Sequence, residues 1–171
     1  TEIDESVLRA AAELWASLAL APEAGAKVYA EMSVNGPKKY YDVEGALTPA
    51  AAYRHLVGNK TIAARMGRRD GTTRLALWDA DNDLDWKKLE DAAKLLAAAG
   101  YAMQVEPSPA RGGHIGTVIS EWVEARAVYQ DMCRIAPALA EFQEYWCAPG
   151  VGSNNKVRLL GGFYRHQGVN Q

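Results

Sequence analysis

The chain has 171 residues, a formal net charge of −2 and a 49% hydrophobic composition. That is enough apolar material for one buried core, or one core with an N-terminal extension. The charge excludes a global basic field, so any nucleic-acid binding must come from a local patch. No apolar run approaches the roughly 18 residues of a membrane span, and the N-terminal "TEIDESVLRAAAELW" carries acids unlike a signal peptide. The expectation is a cytoplasmic protein without a membrane partner. Cys133 and Cys147 cannot build a zinc finger alone, with His166 a distant third ligand. They read as reduced thiols, and no zinc is expected.

In chain order, residues 4–20 predict a helix capped by Asp4 or Ser6, with an apolar stripe of Val7, Leu8, Ala11, Leu14, Trp15 and Leu18. "PEAGAKVYAEM" reads as a second, short helix and "NGPKKYYDVEG" as a loop with a short strand. Tyr40 and Tyr41, beside Lys38 and Lys39, are candidates for stacking on bases. Residues 49–57 predict a helix with Thr48 as N-cap and Pro49 at its first position. "KTIAARM" and "TRLALWDAD" read as strands separated by the turn "GRRDG". "LDWKKLEDAAKLLAAAG" is a helix closed by Gly100. Strands follow at "YAMQVE" and "HIGTVIS", joined by the turn "PSPARGG". Residues 120–134 predict a helix capped by Ser120 and ended by Pro137. "ALAEFQEYW" reads as a helix running into a strand, and "KVRLL" as the last strand.

From about residue 73 the order is β-α-β-β-α-β. This is the split βαβ plan of ferredoxin-like and RNA-recognition folds, which packs two helices on one sheet face and leaves the other for a site. The fold class is therefore α+β, an RRM-like core with an N-terminal helical extension. The chain is expected to be a single domain over 1–171, with a helical part at 1–58 and the core at 59–171.

The stretch "LALWDADNDLDW" holds Asp79, Asp81, Asp83 and Asp85. The two-residue period of a strand turns Leu75, Leu77, Asp79 and Asp81 the same way. Carboxylates at i and i+2, with Cα atoms roughly 7 Å apart, can converge on one cation. Hard oxygens suit Mg²⁺ or Mn²⁺, which would share a substrate's phosphate oxygens. Two other readings compete. Asp83 and Asp85 fit an acidic cap on the following helix. Counted from Asp79, the acids also imitate an EF-hand loop, but Leu84 stands where that loop needs Gly.

Downstream, "SPARGGHIG" makes a tight turn in which Arg111 and His114 supply charge-assisted donors and the glycines admit a ligand to the backbone. An ordinary hairpin with a surface Arg is the alternative. The late block "NNKVRLLGGFYRHQG" adds Lys156, Arg158, Arg165 and His166. A solvated edge strand would explain the same charges.

Asp79-Ala80-Asp81, "SPARGGH", an acid near Glu144 and "KVRLL", in this order, resemble the archaeo-eukaryotic primase superfamily. The flavour is similar to the primase-polymerases of mobile elements and CRISPR-associated systems. There a segment like "LTPAAAYRHLVGNKTIAARM" precedes the acidic strand and one like "VRLLGGFYRHQG" closes the core. The resemblance covers about Tyr29 to Gly168. It implies two divalent ions, Mg²⁺ or Mn²⁺, at Asp79, Asp81 and a third acid, Glu144 before Glu141. It implies that His114 and Arg111 grip the triphosphate, with Ser108 and Gly113 in the turn. Arg158, with Arg165 beside it, would contact phosphate or the primer strand. Tyr164 stands where the family often has His.

The resulting expectation is a template-dependent nucleotidyltransferase acting on nucleoside triphosphates, with single-stranded DNA template and primer as partners. Helicase or other replication domains would act beside it. The rival readings are a non-catalytic single-strand-binding module on the same fold, and another metal-dependent phosphotransferase or nuclease.

Overall fold

A computed structural model of the chain describes residues 3–19, 27–33, 39–108, 111–142, 145–146 and 156–160. The chain divides into two compact units, Thr1–Met66 with Asn154–Gln171, and Gly67–Ser153. The class is α+β, with two small antiparallel sheets and four α-helices among the described residues.

In the first unit, helix α1 (Glu5–Leu18) starts where the Asp4 carboxylate accepts from the Ser6 N–H. Its buried face is Ala12, Trp15 and Leu18, whereas Val7 is exposed. The expected stripe is therefore rotated toward Ala12. Strand β1 (Tyr29–Ser33) stands where a short helix was expected. It lies between β2 (Tyr41–Val43) and β3 (Lys60–Ala64), and pairing on both edges outweighs the modest helical preference of "YAEM". Helix α2 (Pro49–Leu56) begins as its sequence predicts. The Thr48 hydroxyl accepts from Ala51 N at 3.1 Å, and Pro49 occupies the first turn.

The second unit carries the split βαβ core. Strand β4 (Thr72–Ala80) leads into α3 (Asp83–Ala98), then β5 (Gln104–Pro107), β6 (Gly113–Glu124), α4 (Ala125–Ile135) and β7 (Tyr145–Trp146). The sheet order is β5-β6-β4-β7, all antiparallel, with β4 and β6 central. Alternate residues Ala76, Trp78 and Ala80 of β4 join Leu89, Leu96, Ile115, Met132, Leu139 and Tyr145 in one hydrophobic core.

Two expectations are corrected here. Strand β6 runs on to Glu124, so Ser120 caps nothing and α4 starts at Ala125. Val118, Ile119, Trp122 and Val123 suit a strand. The extra length is absorbed by an irregularity between Thr73 and Leu75, where Arg74 Nε donates to Ile119 O at 2.9 Å. The Arg68 guanidinium, 3.8 Å from the Trp122 ring centroid, covers the extension. The second correction concerns "KVRLL". Its strand β8 (Val157–Arg158) pairs with β3 in the first unit's sheet, and β7 closes the split βαβ sheet instead. Among the described residues, no helix is long and apolar enough to cross a membrane.

Candidate active site

The acidic stretch sits where β4 ends and α3 begins. Beyond the irregularity, the strand period sends Ala76, Trp78 and Ala80 into the core and Leu75, Leu77 and Asp79 to the opposite side. Leu75 and Leu77 are 1% and 0% exposed. That face is therefore closed along most of β4 and opens only near its end, where the Asp79 side chain retains 19% exposure. Asp81 lies just past the strand and is exposed.

Helix α3 is started by Asn82 and not by the aspartates themselves. Asn82 Oδ1 accepts from Asp85 N at 2.9 Å, while its Nδ2 donates to Asp85 Oδ2 at 2.7 Å. This reciprocal pair is a capping box with Asn and Asp in its two places. Asp83 and Asp85 then fall in the first turn, where carboxylates complement the helix dipole. The capping reading thus accounts for Asp83 and Asp85 but not for Asp79 or Asp81.

A cleft of about 380 Å³ opens here, lined by Asp79, Ala80, Asp81, Asn82, Asp85, Lys88, Glu141 and Phe142. Lys88 is the single cation among these lining residues. Its Nζ lies 2.9 Å from Glu141 Oε2 and 3.8 Å from Asp85 Oδ1. Glu141, and Asp85 behind it, hold the ammonium above the usual lysine range. Lys88, Asn82 and Phe142 were not singled out by the sequence. Lys88 is three residues from Asp85 on the helix, a spacing that brings side chains together. Nothing local announces its link to Glu141.

His114 is brought to Asp79 by strand register. The two are paired residues of β4 and β6, and His114 Nε2 is 3.1 Å from Asp79 Oδ1. The turn before His114 is fixed by packing. Ser108 N donates to Gly112 O at 2.9 Å. Gly112 has φ +71°, and a Cβ there would run into the Ala80 carbonyl. A Cβ on Gly113 would lie 2.5 Å from Glu106 O and 2.8 Å from Trp86 Cζ3. Both glycines thus let the turn lie against the Asp79–Asn82 segment and α3. Arg111 is exposed beside them, and Ser108 is half-buried.

The remaining expected site residues divide in two. Arg158 stands on β8 in the first unit, where Lys156 Nζ is 2.6 Å from Asp42 Oδ1. Glu144 and Arg165, like Cys147 and His166, lie outside the described residues.

The donor chemistry of the cleft fits a hard divalent cation. Asp79 and Asp81 offer carboxylate oxygens at one rim. Among the described residues, no group of three or more His, Cys, Asp or Glu side chains is placed to hold a metal ion. The described carboxylates therefore suit an ion of the Mg²⁺ type, which keeps waters and takes substrate phosphate oxygens, better than a closed protein cage.

No family model matches the sequence, and no curated protein matches it. Among solved structures, the polymerase domain of Mycobacterium tuberculosis ligase D, in complex with DNA, is similar at a TM-score of 0.38 and 13% identity. The match covers 96% of this chain and 77% of that one. At that level of likeness, the functional reading has to stand on the site residues.

Proposed function

We propose that the chain is a nucleotidyltransferase domain of the primase-polymerase type. The observation that carries this reading is the meeting of Asp79, Asp81 and His114 at one sheet end, beside a glycine turn bearing Arg111. Asp79 and Asp81 would hold the divalent ions, with Glu144 or Glu141 as the third acid. Bound there, Mg²⁺ or Mn²⁺ would supply charge neutralisation at the phosphates and acidify an attacking hydroxyl. The reaction is in-line displacement at the α-phosphate of a nucleoside triphosphate by a 3′-hydroxyl, which forms a phosphodiester and releases pyrophosphate.

The chain's own side chains position that reaction. His114 presents a ring N–H to a triphosphate oxygen once it leaves Asp79. Arg111, exposed on the turn, adds a guanidinium that can take phosphate bidentately. Template and primer approach at the Asp79 end, because Leu75 and Leu77 close the same face further along β4. The same closure disfavours a simple single-strand-binding module, which stacks bases on an open sheet face.

Extension of a labelled primer on a single-stranded template, with Mg²⁺ or Mn²⁺ and each nucleotide type, tests the reading. Metal-dependent extension by the wild type, lost in Asp79→Ala/Asp81→Ala with the fold intact, is the expected outcome. Folded wild-type protein that binds single strands but never extends them refutes it.

A further inference from the structure

His114 stands on the middle strand of three, with an acid on either side. Register pairs it with Asp79 on β4 and with Glu106 on β5. Directly opposed residues of antiparallel strands point to the same side of the sheet, with Cβ atoms about 5 Å apart. The three side chains therefore form a row across one face: carboxylate, imidazole, carboxylate. Glu106 is half-buried, and its Oε2 is shut off from solvent. A carboxylate oxygen withdrawn from water is costly unless donors or positive charge stand close by.

We propose that Glu106 is a positioning residue for His114. It fixes the imidazole from the β5 side so that Nε2 carries the hydrogen and faces the Asp79 end of the cleft. The identity of the eventual acceptor, a triphosphate oxygen, rests on the nucleotidyl-transfer reading. The coupling of Glu106 to the ring does not.

The hydrogen placement follows from the donor and acceptor inventory. An ionised carboxylate only accepts, so His114 Nε2, 3.1 Å from Asp79 Oδ1, must be the donor. A second carboxylate beside the same ring favours a hydrogen on Nδ1 as well. This is the second-partner device that orients working histidines elsewhere. A substrate that draws Asp79 away then leaves the ring anchored from the other side. The anchor is rigid because Glu106 adjoins the hairpin whose Gly113 sits hard against the Glu106 carbonyl.

The experiment is nitrogen NMR of the ¹⁵N-labelled full chain without metal or nucleotide, with His114 ring signals assigned by their loss in His114→Gln. Glu106→Ala should displace both His114 ring-nitrogen resonances and leave those of His55 in place. Steady-state extension should show a rise of about tenfold in KM for nucleotide, with kcat less affected. If Glu106→Ala does not fold, the near-isosteric Glu106→Gln is read in the same way. His114 resonances that superpose on the wild type's overturn the proposal. The spectrum needs no turnover. Displaced resonances in a chain whose wild type never extends a primer would reject the nucleotidyl-transfer reading and leave the coupling standing.

Discussion

His55 is a buried pH sensor of stability. It is 1% exposed on α2, its Nε2 is 2.8 Å from Leu159 O, and its Nδ1 accepts from Ile62 N at 3.1 Å. An amide hydrogen aimed at Nδ1 requires a lone pair there, so the ring is neutral with its hydrogen on Nε2. Burial is the largest influence and pushes the imidazole down from 6.5 to about 4. Because the folded value lies below the unfolded one, the unfolded chain takes up the proton first as pH falls. The stabilising effect is complete above about pH 6.5, declines between 6.5 and 4, and is exhausted below 4. Two and a half units correspond to about 3 kcal/mol over the whole window, of which about 2 kcal/mol is lost between pH 7 and 4.5. Urea denaturation across this range should show the decline in wild type. His55→Gln, whose amide can also accept from Ile62 and donate to Leu159, should flatten it. Acids held low, such as Asp42 beside Lys156 and Asp131 beside Tyr101, act toward the acid end and are common to both proteins. Parallel pH profiles for the two proteins would refute the reasoning.

Two further outcomes follow from the cleft and the turn. Gly112→Ala combines a positive φ with a collision at the Ala80 carbonyl. It should cost about 1–3 kcal/mol in thermal or urea unfolding and lower primer extension more than the stability loss explains, since Ala80 separates the two site aspartates. Wild-type extension by a folded Gly112→Ala protein would show that the turn does not hold them. Lys88→Met removes the cation pinned between Asp85 and Glu141. Exposed pairs contribute little, so stability should change by less than about 1 kcal/mol. The cleft should bind Mn²⁺ more tightly in an electron-paramagnetic-resonance titration, and weaker binding would argue that Lys88 is a neutral bystander or a support.

Much of this arrangement was legible because its cues are local. Thr48-Pro49 and the Asn82–Asp85 stretch mark helix starts within four residues, and both helices begin there. Asp79, Asp81 and His114 stood out as chemistry-bearing types beside strand ends. Partner choice between strands was not legible. "KTIAA" and "TRLALWDA" look alike in sequence, yet β3 and β4 lie in different sheets. Nothing within "KVRLL" tells that its partner is β3, because pairing is decided by chain segments about a hundred residues away. The β6–α4 boundary was missed for a related reason. Ser120 is a good cap in isolation, but the Thr72 and Thr73 edge offers ladder hydrogen bonds that a helix there would forgo.

The same distinction explains the character of the site. His114 reaches Asp79 through β-ladder register, and register is strongly specified where one sheet face is buried. A one-residue slip of β6 would send His114 into the Trp78 core and Ile115 out to Asp79, a change that buries an imidazole among aromatic rings. The core therefore enforces the pairing of imidazole and carboxylate. Gly112 and Gly113 extend that enforcement into the turn, since only residues without a Cβ allow it to lie against Ala80 and Trp86. A cleft held this way is preorganised by the fold and not by a loop, which is what transfer at a phosphate demands when most of the catalytic work is positioning.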